Sequence, residues 1–416
     1  MMGEDGAVTA DLMDGIVDGA PAYGLDFTRV VAHPATRNRA FAVELVANEA
    51  RNTRRAYTLH VGDALDAYKT WTAPDVIVSD GAYGVGGFPG DPRTPDGLAD
   101  WYRPHIEEWS RLSKLSTSLW FFNTEVGWAN VHPVLIANGW KYEQTVVWDK
   151  GLGHVAGNSN SQTLRRFPVV TEVFVRYTRE LVIPTVSGDT HAQQWLVGEW
   201  LRAGLRRSAA NAACGVKNAA SRKYFDQGWL WYPPSGEVFA MLADYANEHG
   251  KPDGAPYYSQ DGVRPITAEE WDSFRGVWNY EHGLSNVWQH PALRGKERWT
   301  GSGVRSAPRV YKPGANAATH LNQKPLELMT RLIACCTPPE GVVWEPFGGL
   351  CSASVAALNL GRVPFASEHN EFFAEMAGER LDETVKTAAL FRHGIDPDRV
   401  TDAQAREALA AVRGGS

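Results

Sequence analysis

Two short stretches of this 416-residue chain hold residue types whose spacing could do chemistry. In the first, Asp75 opens a β-branched run, Val76-Ile77-Val78-Ser79, which delivers Asp80-Gly81-Ala82-Tyr83-Gly84. A brief apolar run bounded by turn formers reads as a buried, parallel strand. Residues just beyond such a strand lie on the carboxyl-end rim of an open α/β sheet, where ligands bind. In the second, Val342-Val343-Trp344 reads as a strand ending in Glu345-Pro346-Phe347-Gly348-Gly349. Leu350-Cys351-Ser352-Ala353-Ser354 and a helix to Leu360-Gly361 follow, then a strand from Val363 to Ser367 that stops at Glu368. This βαβ unit has a glycine turn that lets backbone approach a ligand closely. Its second acid stands about 20 residues on, where a carboxylate grips a ribose 2′-hydroxyl. Glycines, acid and spacing together point to a nucleoside-binding site.

Alternating strands and helices must position these residues. Tyr57 to Val61 reads as a strand ending at Gly62-Asp63. Asp63 either accepts hydrogen bonds from a nucleotide-like ligand or serves as a turn aspartate. Val85 to Pro92 is rich in breakers and predicts a mobile loop beside the first stretch. Trp101, Ile106, Trp109 and Leu112 recur at helical spacing, and Ser118 to Phe122 is a strand. A helix is expected from Glu125 to Asn138, stopped by Gly139, then a strand from Tyr142 to Trp148 followed by Asp149-Lys150-Gly151. Val169 to Tyr177 is a further strand, and Asn322-Gln323-Lys324-Pro325 leads into a helix marked by Leu326, Met329, Leu332 and Ile333. Such alternation predicts a sheet covered by helices on both faces.

Length allows one large domain with an insertion, or two domains. A hydrophobic fraction of 44% marks a globular chain, and the sixteen tryptophans are scattered as core residues are. The four cysteines, Cys214, Cys335, Cys336 and Cys351, show neither disulfide nor metal-ligand spacing, which suits a reducing cytoplasm and no metal. No run of about 18 apolar residues predicts a membrane span. A net charge of −7 argues against a purely electrostatic nucleic-acid binder, so any DNA contact must be a local patch.

Composition changes near residue 180. Arg202, Arg206, Arg207, Lys217, Arg222 and Lys223 fall in a stretch with no acid. Residues 207–225 resemble a helix-turn-helix unit: Ala210 and Cys214 pack, Gly215 turns, and Val216 and Tyr224 pack the second helix. Asn218, Ser221 and Arg222 would face a major groove; the alternative is a solvated charged hairpin. Residues 250–316 carry many Gly, Pro and Trp and little periodicity.

With both stretches in place, the sequence resembles the β-group of bacterial DNA amino-methyltransferases. Asp80-Gly81-Ala82-Tyr83 occupies the place of that family's Asp-Pro-Pro-Tyr box, and Glu345-Pro346-Phe347-Gly348-Gly349 looks like its Asp-Pro-Phe-x-Gly box. The resemblance covers about 57–180 and 317–385. It implies a Rossmann-like class I S-adenosyl-L-methionine (AdoMet)-dependent methyltransferase fold with an inserted, partly helical target-recognition region. The implied division is an N-terminal extension over 1–52, a catalytic half over 53–180, the insertion over 181–316, an AdoMet-binding half over 317–385 and a helical tail over 386–416. Cofactor binding is implied for Asp63, Asn322, Gln323, Lys324, Glu345, Phe347, Gly348, Gly349 and Glu368. DNA contact is expected from Arg206, Arg207, Lys217, Asn218, Ser221, Arg222 and Lys223.

The implied reaction moves a methyl group from AdoMet to the exocyclic amino group of a flipped base in double-stranded DNA. Asp80 and the Gly81 carbonyl would accept the two amino hydrogens, and Tyr83 would stack on the base. Aspartate at the head of the box slightly favours adenine N6 over cytosine N4. Gly81-Ala82 in place of two prolines should leave the unbound loop more flexible, and Gly349-Leu350 departs from the family's glycine pattern. Loss of the prolines also suits another reading, a non-catalytic DNA-binding protein on a methyltransferase fold; an enzyme acting on RNA or a small molecule is a third. A cognate restriction endonuclease and a monomer or dimer are further expectations, without a membrane.

Overall fold

A computed structural model describes residues 56–152, 165, 167–225, 231–279, 283–293, 298–299 and 322–392. The expected extension over 1–52, the end of the insertion and most of the expected tail lie outside the described residues. The strands are β1 (Thr58–Val61), β2 (Val76–Ser79), β3 (Ser118–Asn123), β4 (Trp140–Asp149), β5 (Thr171–Arg179), β6 (Val182–Thr185), β7 (Gly188–His191), β8 (Val287–Gln289), β9 (Val342–Glu345) and β10 (Val363–Glu368). The helices are α1 (Ala64–Ala67), α2 (Leu98–Leu112), α3 (Glu125–Ala137), α4 (Ala192–Arg202), α5 (Ala209–Ala213), α6 (Ala219–Phe225), α7 (Gly236–His249), α8 (Ala268–Phe274), α9 (Leu326–Cys336), α10 (Ser352–Asn359) and α11 (Glu371–Arg392).

Eight strands form one sheet in the order β1-β10-β9-β2-β3-β5-β4-β8. All run parallel except β5, which is antiparallel to both β3 and β4. Every residue of β2 and β3 is buried, as strands covered on both faces require. Their side chains alternate between two cores. Ile77, Leu119 and Phe121 point into one with α2 and α3. Val76, Val78, Trp120 and Phe122 point into the other with α9 and α10. Each large apolar side chain so buried contributes about 1.5–3 kcal/mol, and no single one dominates.

The chain order is a circular permutation of the doubly wound pattern. The crossover from β9 to β10 leads to one side of the sheet, and that from β2 to β3 leads to the other. The order therefore reverses between β9 and β2, the point at which open α/β sheets hold ligands. Local caps set the helix starts around it. Thr124 accepts from the Gly127 amide to begin α3, and Gly139, at φ +76, ends the turn after it.

Residues from Ile183 to Phe274 have a core of their own, in which Phe239 and Trp271 stack at 4.4 Å between centroids. The composition break predicted a single excursion over 181–316. Instead the chain returns early: the Asn279 amide bonds to the Cys335 carbonyl, and β8 adds to β4 with Trp288 against Phe174. Trp288 is buried on the catalytic sheet, and burial of a ring at an open sheet edge is a tertiary event without a local signal.

Candidate active site

The Asp80–Tyr83 box leaves β2 at the switch point, and three other segments converge on it. Lys324, just before α9, places its Nζ 2.7 Å from Asp80 Oδ1 and 3.1 Å from Glu172 Oε1. Glu172, on β5, takes Lys150 Nζ at 2.8 Å on its other oxygen. The Tyr83 hydroxyl lies 2.8 Å from Asp80 Oδ1 and also touches Glu172. Lys324, Glu172 and Lys150 side chains are 8%, 9% and 15% exposed, against 21% for Asp80, so Asp80 is the member that solvent or substrate reaches best.

Burial pushes the Asp80 carboxyl above its ordinary range, Lys324 pulls it back, and the Glu172 charge raises it again. Burial also acts to raise Glu172, but Lys324 and Lys150 together hold it below its usual value. Tyr83 is pushed up by burial and by both carboxylates, so its phenol stays neutral and donates. Asp80 is thus a carboxylate held by an ammonium and a phenol donor, with a second carboxylate beside it.

Backbone in the box is fixed by its surroundings rather than by proline. The Ala82 carbonyl accepts from Tyr102 Oη at 3.0 Å and from Asn123 Nδ2 at 2.8 Å. A Cβ on Gly81 would meet Phe347 Cδ2 at 2.6 Å and Tyr102 Oη at 2.8 Å. The residue that sequence marks as a missing proline is thus a close approach between the two motif loops. The following segment, expected to be mobile, is held by Asp91, which accepts from the Gly84, Val85 and Gly87 amides.

On the β9 side, Glu345 turns inward. It accepts from the Ala353 and Ser354 amides and from Ser354 Oγ, at 2.6–2.9 Å, and so caps α10. Burial lifts its carboxyl to about 7 against those donors. Glu345 therefore shapes the turn from within. Gly349 and Cys351 both adopt positive φ, +52 and +54, and a Cβ on Gly348 would meet Cys351 Sγ at 2.8 Å. Glu368 accepts from the Gly349 and Asn370 amides, leaving lone pairs on each oxygen for ligand hydroxyls. Asp63 caps α1 through the Leu65 amide, on the same rim as Glu368: the Gly62 amide bonds to the Glu368 carbonyl.

Two of the residues expected at the cofactor have partners within the protein. Lys324 is on the Asp80 carboxylate, and Gln323 pairs through both amide groups with the Trp299 backbone. Asn322 is exposed. Phe347 is half-buried in a cluster with Trp101, Tyr102, His105 and Trp109. Among the described residues no three His, Cys, Asp or Glu side chains are grouped to hold a metal, and no helix is long and apolar enough to cross a membrane.

Sequence reading missed Glu172 and Lys150. The available signal was an acid inside the apolar run Thr171-Glu172-Val173-Phe174-Val175, since a charge in a central strand must be paired. On the inserted body, Arg206, Arg207, Lys217, Asn218, Arg222 and Lys223 are exposed along α5, α6 and the turn at Gly215. Ser221 is tied to Asn211: its amide donates to Asn211 Oδ1 and its hydroxyl accepts from Asn211 Nδ2. Val216, expected to pack, is 42% exposed, because helices this short bury only Ala210, Ala220 and Phe225 deeply.

A doubly wound sheet with one antiparallel strand, carrying a carboxylate box and a glycine turn at its switch point, is a Rossmann-like class I architecture. Residues 74–379 match the model of the N6/N4 DNA methylase family, and the chain belongs to that family of AdoMet-dependent DNA amino-methyltransferases. Solved structures similar to it include M1.HpyAVI with SAM, at 14% identity and TM-score 0.39, covering 78% of this chain and 99% of that one. Another is a candidate DNA modification methylase from Thermus thermophilus, TTHA0409, complexed with S-adenosyl-L-methionine (13%, 0.37, covering 79% and 96%). A third is the PvuII DNA methyltransferase, cytosine-N4-specific (10%, 0.43, covering 87% and 95%).

Proposed function

We propose that this chain methylates an exocyclic amino group at a specific site in double-stranded DNA, with adenine N6 favoured over cytosine N4. The observation that carries this reading is the meeting of Asp80-Gly81 and Phe347-Gly348-Gly349 across the β2/β9 switch point, with Gly81 against Phe347. An exocyclic amino nitrogen is a poor nucleophile because its lone pair is delocalised into the ring. Asp80 and the Gly81 carbonyl accept its two hydrogens, draw the nitrogen towards a tetrahedral shape and stabilise the positive charge that grows there. Ala82 cannot take the carbonyl role, because Tyr102 and Asn123 already hold its oxygen. Tyr83, anchored by its hydroxyl, offers a ring to a base that has left the stack.

Bound AdoMet supplies an activated methyl group. The residues present fit that ligand: the Gly348–Cys351 turn, with positive φ at Gly349 and Cys351, brings backbone to the rim that Glu368 and Asp63 share, Glu368 keeps lone pairs for hydroxyls, and Trp101 packs against Phe347 at the head of the turn. The aspartate heading the box is the feature that favours adenine. On the inserted body, Arg206, Arg207, Lys217, Asn218, Arg222 and Lys223 supply the local basic patch for DNA.

The test is single-molecule sequencing of plasmid DNA from a host without amino-methyltransferases, expressing the wild type or Asp80→Ala. A modified motif in the wild type alone is expected, with AdoMet affinity nearly equal in both. Nucleoside mass spectrometry then separates N6-methyladenine from N4-methylcytosine. Unmodified DNA from wild-type protein that binds AdoMet would favour a non-catalytic DNA binder, and strong activity in Asp80→Ala would remove Asp80 from the reaction.

A further inference from the structure

Resting on the assignment of Asp80 as the hydrogen-bond acceptor, we propose that Glu172 and Lys150 are positioning residues that keep the Lys324–Asp80 pair electrically balanced, so that the Asp80 charge remains available to the reacting amino group. Lys324 Nζ lies 2.7 Å from Asp80 Oδ1. Standing alone, that ammonium would cancel the carboxylate and oppose a nitrogen becoming positive beside it. Glu172 draws on the same ammonium at 3.1 Å, and Lys150 neutralises the other Glu172 oxygen at 2.8 Å. Two carboxylates and two ammonium groups sum to zero, and Asp80 is the most exposed of the four.

The four charges come from segments distant in sequence: the turn after β2, the end of β4, the antiparallel β5, and the approach to α9. Glu172 faces Trp148 across the β4–β5 register, and Lys150 Nζ sits 4.7 Å from the Trp148 ring centroid, which fixes the outer ammonium. Among the described residues, Tyr83 is a neutral donor shared by both carboxylates, and Tyr102, whose phenol burial and the Asp80 charge push up, lies behind the box. The neighbouring Asp149 is turned to the Gly151 amide. Stability gives no reason for such a cluster, since apolar residues of similar volume usually serve a fold as well as a buried ion network does. Its place at the substrate rim gives one.

The experiment compares wild type, Glu172→Gln, Lys150→Met and the double variant, which are respectively neutral, +1, −1 and neutral at this cluster. Two quantities are read: the single-turnover methylation rate against pH, and the titration of Asp80 by carbon NMR in protein labelled at aspartate carboxyls, assigned with Asp80→Asn. Glu172→Gln should lose roughly 10²-fold in rate with AdoMet affinity unchanged, and its Asp80 should titrate at lower pH because a repelling charge is gone. Lys150→Met should move the Asp80 titration upward. The double variant should recover to within about tenfold of wild type, as charge compensation requires and a merely structural role does not. A double variant no better than Glu172→Gln, or an Asp80 that titrates alike in all four proteins, overturns the proposal. Wild-type protein that transfers no methyl group to DNA would instead sink the functional reading, and the Asp80 titrations would still decide whether the charges are coupled.

Discussion

Gly81 carries the contact between the two halves of the site. Its missing Cβ is the space that Phe347 and the Tyr102 hydroxyl occupy, and both are aromatic groups packed in a cluster that yields little. Gly81→Ala should therefore destabilise the protein by about 1–3 kcal/mol, the range for overpacking, and lower the methylation rate more than AdoMet affinity. Thermal melts with single-turnover kinetics check this. Restoring the family's proline pair should harm activity for the same reason, unless Phe347 is trimmed as well. The sequence shows glycine and alanine where prolines are usual and suggests a loosened loop; the neighbours show a loop held by Tyr102, Asn123 and Phe347 instead.

At the scale of elements, the start of α10 depends on a buried acid. Glu345 is raised to about 7 by burial, so between its ordinary value of 4.5 and that value the folded state holds a proton that the unfolded chain releases. Stability from this group is greatest below that window and falls as pH rises through it. His105 acts oppositely: burial lowers it to about 4, so its contribution rises as pH increases from about 4 to 6.5. The two largely offset each other near pH 5–6. Glu345→Gln should remove the falling component and leave stability that increases with pH. Unfolding free energies from urea titrations should change between pH 5 and pH 7 differently from wild type, by about 2 kcal/mol. An unchanged pH slope would show that Glu345 is accommodated without cost.

Across the whole molecule, charge is negative overall and positive where DNA is proposed to bind. Arg222→Ala with Lys223→Ala should weaken DNA binding and reduce the slope of log affinity against log salt by about 2, because each lost phosphate contact releases about one fewer counterion. Fluorescence anisotropy on duplex DNA at several salt concentrations measures both. An unchanged slope would make the α5–α6 hairpin a structural part of the inserted body, whose core it does enter through Ala210, Ala220 and Phe225.

Local pattern by itself determined the strands that end at Asp80, Glu345 and Glu368, the helices between them, and the glycine turn, because period, caps and breakers act over a few residues. It also placed both motif loops on one rim, since parallel strands with helical crossovers all end on the same side. Only the tertiary structure decided how those loops are filled. It turned Glu345 inward to a helix end, spent Gln323 on Trp299, tied Ser221 to Asn211, and brought β8 back to the sheet edge. It also gathered Asp80, Lys150, Glu172 and Lys324 into one balanced cluster. The physical reason is range. Hydrophobic period and turn chemistry are written in neighbouring residues, whereas an ion cluster depends on which strands become adjacent, and the antiparallel insertion of β5 between β3 and β4 has no local signature.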